Sequence, residues 1–221
     1  MRIIKNLIKY IKGDLPMSKK VTVEGNKVII EGVTDEEIKN LIGHTNLKEL
    51  GNVTPGKVIK IGNLEFIVFK QLGGETDLLW RYALAERRKF DKDTVNYAES
   101  SIRKYLNTEV YEMLAAEVGA ENIVEHAVDL TTEDGLKVYD SVTDKVSLIT
   151  EQMYKENRDV IGPNLDSWWW LATACSKQEL CGCVRVVSSS GMLDYDHYGS
   201  VGGVRPFCIL KSNILVSEVE E

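Results

Sequence analysis

Histidine and cysteine are scarce in this chain, and neither residue type forms a recognisable catalytic pattern. The 221 residues include 3 His and 4 Cys. None of His44, His126 and His197 lies in an HExxH, nucleophile-elbow or phosphate-loop context that would supply a partner at useful spacing. The sequence therefore predicts a protein that is not an enzyme, with no catalytic residue and no cofactor.

The cysteines also lack the spacing of a zinc site. Cys175, Cys181 and Cys183 lie close together, but they do not contain the Cys-x-x-Cys knuckle that structural zinc sites usually use. No hydrophobic secretion signal precedes them, which favours a reducing compartment over a disulfide framework. We therefore expect free thiols, no bound metal and a protein that is cytoplasmic when synthesised.

Long apolar runs and basic clusters are missing too. No apolar stretch reaches the roughly 18 residues that span a bilayer, so stable membrane insertion is not expected. The 27 Lys and Arg are outnumbered by 34 Asp and Glu, and the formal net charge is −7. Because no segment concentrates cations among aromatic residues, nucleic acid is not an expected partner.

Residues 1–16 have the pattern of a basic amphipathic helix that lies on a membrane surface. The basic face carries Arg2, Lys5, Lys9 and Lys12, and the apolar face carries Ile4, Leu7, Ile8 and Ile11. A second explanation is that translation begins at Met17, because Lys12-Gly13-Asp14 can be encoded by a ribosome-binding sequence upstream of it. Both explanations fit the sequence.

A small N-terminal unit is predicted over residues 17–51. Polar and apolar residues alternate in Val21–Glu31 around Gly25-Asn26, a dipeptide suited to the tight turn of a β-hairpin. Thr34 to Glu37 form a capping box at the start of a short helix that ends at Leu41. A loop with glycine and proline follows, so we expect a separate unit that offers attachment to a larger assembly.

Residues 52–221 are predicted to form the main domain. A hairpin over Lys57–Lys70 turns at Gly62-Asn63, and the run Leu78–Leu84 is expected to pair with it in one antiparallel sheet. Further short β-type runs, with one brief helix at Glu151–Asn157, complete the chain: Val124–Leu130, Lys145–Ile149, Trp168–Thr173, Val184–Val187, Met192–Tyr198 and Val204–Leu210.

A helical pair separates these two groups of strands. Apolar residues recur at helical spacing from Ile102 to Val118, which predicts two helices with Asn107 or Thr108 as a cap between them and Gly119 as the stop. The order of strands, helices and strands indicates the α+β class.

The segment from Ser188 to Tyr198 combines residue types that are common on recognition surfaces. Tyr offers rigid amphipathic area, and Ser and Asp offer adaptable hydrogen bonds. In a strand, alternation places Leu193, Tyr195 and His197 on one face and the intervening side chains on the other. An exposed hairpin that binds nothing is the competing interpretation.

Two further segments have both a functional and a structural interpretation. Within Trp168–Trp170, alternation buries at least one ring and leaves another to stack on a sugar or a protein. An acidic stretch has the composition of a calcium site, but its spacing differs from that of an EF-hand loop and is more typical of a solvated face. This stretch comprises Asp129, Glu133, Asp134, Asp140 and Asp144.

Four ordered motifs between about Leu79 and Leu210 resemble a bacterial and phage domain family of unknown function. They are Tyr97 to Asn107, Asp144 to Thr150, Trp169 to Thr173 and Gly203 to Phe207. The extra tryptophan and the Ala172-Thr173 pair depart from the family pattern. This family is in turn similar to the C-type-lectin-like fold of formylglycine-generating enzymes and of the variable proteins of diversity-generating retroelements.

The resemblance implies a C-type-lectin-like domain over residues 52–221, with mixed or antiparallel sheets and two helices. It also implies a ligand surface just upstream of the Gly203 to Pro206 strand. That surface comprises Trp168, Trp169, Ser188, Ser190, Asp194, Tyr195, Asp196, His197, Tyr198 and Ser200. Arg103, Arg205 and Pro206 are expected to be structural, with the several donors of Arg205 tying loops together.

The favoured function is recognition of a protein or glycan surface ligand, by a phage or prophage protein that is a target of a diversity-generating retroelement. The first alternative is a virion-associated structural, assembly or decoration protein that attaches through residues 17–51. A more remote alternative is a formylglycine-generating-type oxidase with a paired-cysteine copper site. Its pattern is not reproduced by the four cysteines, Cys175, Cys181, Cys183 and Cys208.

Overall fold

The structure is a computed structural model that describes Lys20–Glu24, Lys27–Glu31 and residues 47–219. The predicted N-terminal amphipathic segment and the helix predicted from Thr34 to Leu41 lie outside the described residues. The two short described segments are strands β1 (Lys20–Glu24) and β2 (Lys27–Glu31), which pair antiparallel. Their register places Glu24 opposite Lys27, as the predicted hairpin requires.

Residues 47–219 are mostly strand, with helices in the middle of the sequence. The strands are β3 (Leu47–Glu49), β4 (Val58–Ile61), β5 (Leu64–Leu72), β6 (Glu75–Trp80), β7 (Arg88–Lys89), β8 (Ile123–Val124), β9 (His126–Val128), β10 (Val142–Asp144), β11 (Val146–Ser147), β12 (Trp169–Ala174), β13 (Cys183–Val187), β14 (Leu193–His197), β15 (Val201–Gly202), β16 (Phe207–Lys211) and β17 (Leu215–Glu218). The helical segments are α1 (Ser101–Tyr105), a π-helical segment (Leu106–Val110), α2 (Tyr111–Val118) and α3 (Glu151–Glu156), with 3-10 turns at Leu50–Asn52, Tyr97–Glu99 and Ala120–Asn122. This mixture, with mostly antiparallel strands, confirms the predicted α+β class.

An antiparallel sheet of eight strands is the centre of the fold. Its order is β11-β16-β6-β5-β4-β17-β3, and β8 also pairs with β16. The β4–β5 hairpin turns at Gly62-Asn63 and β6 pairs with β5, as predicted. Gly62 has a φ of 60°, a left-handed conformation that glycine adopts without steric cost.

The prediction for the end of the chain is wrong in two respects. The strand predicted at Val204–Leu210 begins only at Phe207, after Pro206, and a further strand, β17, follows it. Proline has no backbone N–H, so regular pairing starts beyond it. Strand β17 was missed because its sequence is short and half polar, although it pairs with both β3 and β4.

Strand β3 is an edge of this same sheet. It pairs with β17, and Leu50 and Val53, which follow it, are buried in the main core. Residues 47–51, which the sequence analysis groups with the N-terminal unit, therefore lie in the main sheet and the turn after it. The glycine and proline residues beyond Gly51 form a turn within this body.

The predicted break between two helices is absent. Residues 101–118 run continuously through α1, the π-helical segment and α2, and Gly119 ends the run with a φ of 86°, as predicted. Asn107 does not cap a helix, because its side chain binds β11 and the residue before it. The Asn107 amide donates to the carbonyl of Val146 at 2.9 Å, and its oxygen accepts from the N–H of Lys145 at 3.1 Å. No helix of the described residues is long and apolar enough to cross a membrane.

Strand β12 is buried on both faces. It belongs to a three-stranded sheet of order β12-β13-β14. Trp170 and Ala172 pack into the main core, whereas Trp169 and Leu171 pack into a second cluster with Tyr154 of α3. This arrangement explains why the sequence of β12 is almost uniformly apolar, because successive side chains of a strand point to opposite faces.

We expect the variant Asp77→Asn to lack the decrease in folding stability that the wild type shows as the pH rises. Asp77 lies in β6 between Lys70 and Ile209, and burial raises the pKa of its carboxyl from 3.8 to about 6. A pKa that is higher in the folded state stabilises the fold while the group is protonated, and this contribution disappears as the pH rises through the folded pKa. In urea titrations between about pH 4 and pH 7, the free energy of unfolding of the wild type should therefore fall relative to that of the variant. The exposed Asp140→Asn variant is the control, and parallel profiles for the wild type and Asp77→Asn would contradict the assignment.

Candidate functional site

The predicted recognition segment forms β14, an edge strand. It pairs along its whole length with β13, so that Tyr195 lies opposite Arg185 and His197 opposite Cys183. The backbone N–H groups of Tyr195 and His197 donate to the carboxylates of Asp194 and Asp196, at 2.8 and 2.7 Å. The two aspartates thus bind the backbone of their own strand and engage donors at a sheet edge that is otherwise open to pairing with another chain.

The turns at both ends of β14 are tied by side-chain hydrogen bonds. At one end, the Ser188 and Ser190 hydroxyls lie 2.8 Å apart. At the other end, the Ser200 hydroxyl donates to Asp196 at 2.6 Å. The side chains of Ser188, Ser190, Asp194, Asp196 and Ser200 therefore bind within this hairpin, and His197 Nδ1 accepts from the N–H of Gly199 at 3.1 Å.

The aromatic residues of the hairpin differ in exposure. Tyr195 is 61% exposed, and His197 is exposed as well. Tyr198 is half-buried against the main core, and its ring lies 4.1 Å from the His197 ring. The structure therefore presents Tyr195 and His197 outward on the same face of β14, with Tyr198 as support beneath the end of the strand.

The two predicted tryptophans have different environments. Trp169 is only 2% exposed and packs against Tyr154, with the Arg205 guanidinium 5.1 Å from its ring centre. This residue belongs to the core, which corrects its assignment to the ligand surface. Trp168 is half-buried. Its ring centre lies 4.9 Å from that of Trp170, in an edge-on contact.

Arg205 is buried and binds three backbone carbonyls. It is 1% exposed and donates to the carbonyls of Trp80 and Arg81, at 2.8 and 3.0 Å, and to that of Ile161 at 3.3 Å. Burial lowers the pKa of this guanidinium to about 10, so it stays protonated at neutral pH. The residue therefore joins β6 to the segment before β12. The neighbouring Pro206 accepts a backbone hydrogen bond from Trp80 at 2.9 Å.

Arg103 ties the helical region to β10. Its guanidinium forms an ion pair with Asp144 at 2.7 Å and donates to the carbonyl of Ala98 at 2.8 Å. The hydrogen bond with Asp144 raises the pKa of Arg103 above its usual value. One member of the acidic stretch is therefore neutralised inside the fold and is not part of a solvated face.

The other acidic residues also have separate roles. Asp134 accepts hydrogen bonds from Thr132 and Ser176, and Glu133 forms an ion pair with Arg185 at 3.3 Å. Within the described residues, no group of three or more His, Cys, Asp or Glu side chains is arranged to hold a metal ion. Asp134, Asp144 and Glu133 therefore bind different partners and do not meet at one point.

The four cysteines are free thiols. Burial, with a smaller contribution from Cys181, raises the pKa of Cys175 to about 12. Burial and the Cys181 thiol together raise the pKa of Cys183 to about 11, and Cys208 is fully buried with a raised pKa. Because the thiolate is the reactive and metal-binding form, none of these three environments activates its cysteine.

A polar cavity of about 370 Å³ lies beside α3, and the sequence analysis did not anticipate it. The loop between β9 and β10, the first turns of α3 and the end of β12 line it. Residues that matter for its chemistry are Asp129, Thr131, Lys137, Glu151, Gln152 and Thr173. We call it the α3 cavity.

A network of buried charges forms the floor of the α3 cavity. Glu151 is 4% exposed, and its two carboxylate oxygens pair with Lys155 and with Arg185, the latter at 2.7 Å. The Thr173 hydroxyl accepts from the backbone N–H of Glu151 at 2.9 Å. One sequence signal was available: Arg185 interrupts the apolar run of β13, and a cation in a buried strand requires a carboxylate partner.

Comparisons with known proteins give one match. Residues 74–212 match a family described as a domain of unknown function (DUF6273). No curated protein and no solved structure matches the chain. The match spans α1, α3, β12 to β14 and β16, and therefore both the exposed face of β14 and the α3 cavity.

We expect Arg205→Met to destabilise the protein by about 3 kcal/mol or more, because three buried carbonyls lose their donor at a cost of about 1–3 kcal/mol each. Urea denaturation followed by tryptophan fluorescence measures this change. Arg87→Met is the matched control: it removes an arginine that bonds to Ser167 and Val201 in an exposed setting and should cost less than about 1 kcal/mol. Equal losses in the two variants would show that Arg205 has no special role.

Proposed function

Since the chain belongs to the family of domains of unknown function DUF6273, we propose that this domain is a non-enzymatic recognition module that binds a protein or glycan surface ligand. The binding surface is centred on the exposed face of β14, with Tyr195 as its main contact residue. We call the residues Ser188, Ser190, Tyr195 and His197 the β14 surface.

The observation that carries this proposal is the placement of Tyr195. Its ring is 61% exposed, although its backbone is held in a strand that pairs along its whole length with β13. A tyrosine on a rigid backbone offers large amphipathic area and loses little side-chain entropy on binding. Aromatic residues of this kind often contribute most of the binding energy of an interface.

The neighbouring residues give this surface its polar character. The His197 ring is exposed on the same face as Tyr195, and the serine pair lies at the turn before the strand. The Asp194 carboxylate is on the other face and holds the N–H of Tyr195. Asp196 and Ser200 bind each other and hold the opposite turn, so we assign them to positioning. Tyr198 supports the end of the strand as a half-buried ring against His197, whereas Trp168 is half-buried against Trp170 before β12.

The proposal extends to architecture and origin. We propose that the domain is C-type-lectin-like, as in the variable proteins of diversity-generating retroelements, and that it is of phage or prophage origin. In support, a small sheet ends in the exposed strand β14, just upstream of Gly203-Val204-Arg205-Pro206. We further propose that the protein is made in the cytoplasm and becomes associated with virions.

A second candidate function is a structural or assembly role, favoured by the arrangement of β1 and β2. These strands pair only with each other among the described strands, as expected of an attachment unit that is separate from the main sheet. A variant lacking residues 1–31 should then fold but fail to enter the larger assembly, which co-sedimentation with virions measures. Incorporation at the wild-type level would reject this role.

We expect Tyr195→Ser to weaken ligand binding at least about tenfold without changing stability, because an exposed hot-spot ring is lost and no core contact is removed. Titration of the purified protein against bacterial surface glycans and whole cells measures the effect. Tyr82→Ser is the matched control, since Tyr82 is also exposed, at 56%, but lies before β7 and outside the β14 surface.

The two outcomes are distinct. Saturable binding that is lost in Tyr195→Ser and kept in Tyr82→Ser supports the recognition module. Equal affinity in the two variants rejects the β14 surface, and a folded protein that binds no member of the panel favours the assembly role.

A further inference from the structure

We propose that the α3 cavity is a binding site for a small, neutral, hydroxyl-rich ligand such as one or two sugar units. The inference does not depend on the β14 surface. It rests on the volume of the cavity, the balance of charges around it and the hydrogen-bonding groups that face it. A volume of about 370 Å³ lies at the lower end of the range for small-molecule sites, which is about 300–1,000 Å³.

The charges at the cavity cancel. The carboxylates of Asp129, Glu133 and Glu151 are matched by Lys137 and Lys155 in the lining and by Arg185 behind the floor. A ligand with a net charge of either sign would therefore leave an uncompensated charge in a partly desolvated site, which is costly. A neutral polar ligand avoids this cost.

The floor offers hydrogen-bond acceptors that are already held in place. Glu151 is fixed by its ion pairs with Arg185 and Lys155, one on each oxygen. A carboxylate has about four lone-pair sites, so each oxygen can accept a further hydrogen bond from a ligand hydroxyl. Because the ion pairs restrain this carboxylate before the ligand arrives, little entropy is lost in positioning it.

The rim supplies both donors and acceptors. Asp129 uses one oxygen to accept the N–H and hydroxyl of Thr131, and its other oxygen has no bond within the described part of the chain. Lys137 lies in the lining near Asp129, and its ammonium can donate to a ligand. Gln152 donates its amide to Glu156 and retains its carbonyl as an acceptor. Hydroxyl groups both donate and accept, and therefore match this mixture.

Charged ligands fit the same groups less well. A cation would compete with Arg185 and Lys155 for Glu151, and an anion at Lys137 or Lys155 would also meet the carboxylates of Asp129 and Glu151. The described residues also contain no cluster suited to a metal ion. The arrangement therefore favours a neutral polyol over either kind of ion.

The first experiment titrates the full chain by calorimetry with neutral methyl glycosides, each paired with its uronic acid and its amino sugar. We expect at least one neutral glycoside to bind saturably, and at least tenfold more tightly than both charged counterparts. Tighter binding of a charged counterpart, or no binding by any neutral glycoside to the folded protein, would overturn the proposal.

Two variants then locate the site. Gln152→Trp places a large ring at an exposed position of the rim and should abolish binding, whereas Asp129→Asn keeps the turn with Thr131 and should weaken binding about fivefold by removing a charged acceptor. Circular dichroism confirms that each variant is folded.

The controls are Asp140→Asn, an exposed carboxylate beyond the cavity, and Tyr195→Ser on the β14 surface. Both should bind the glycoside with wild-type affinity. Binding that survives Gln152→Trp but is lost in Tyr195→Ser would overturn the assignment to the α3 cavity and place the sugar on the β14 surface instead.

Discussion

Burial of β12 on both faces is the constraint on which the rest of the structure depends. Trp170 and Ala172 extend into the core beneath the eight-stranded sheet, while Trp169 and Leu171 extend into a second cluster against α3. A strand anchored from both sides cannot shift by one residue without exchanging its two sets of side chains. The fixed register of β12 in turn fixes β13 and, through it, β14.

Two buried arginines, Arg205 and Arg185, and the partly buried Arg103 have different kinds of acceptor. Arg205 has backbone carbonyls as acceptors and a tryptophan ring as a neighbour, Arg103 has a carboxylate and one carbonyl, and Arg185 has two glutamates. Arg205 and Arg103 join segments that are distant in sequence. Arg185 lies between the α3 cavity on one side and Tyr195 of the adjacent strand on the other, so the two proposed sites share one buried cation.

Local signals predicted the hairpins and the helix stop, because turn dipeptides and capping residues act over a few residues. The connection at Gly62-Asn63 and the end of the helix at Gly119 are examples. The helix break predicted at Asn107 failed because that side chain finds its partners in β11, about forty positions along the chain, where a local pattern gives no information.

For the candidate sites too, local patterns predicted some features, and contacts between distant segments decided the others. Alternation correctly left one tryptophan out of the core and placed Tyr195 and His197 on the same face of β14. It could not choose between Trp168 and Trp169, because that choice depends on the position of α3 and Tyr154. The α3 cavity escaped sequence reasoning because its lining comes from three separate segments, and only the charged residue within β13 hinted at it.

The alternation of roles along β14 has a consequence for evolution. Asp194 and Asp196 bind the backbone of their own strand, whereas Tyr195 extends into solvent and has no role in either core. Replacing an aspartate frees an edge amide, but replacing the tyrosine leaves the scaffold unchanged. Selection can therefore alter the side chain at position 195 while its two neighbours continue to hold the backbone of the strand, so that a variable position and two structural positions are adjacent in sequence.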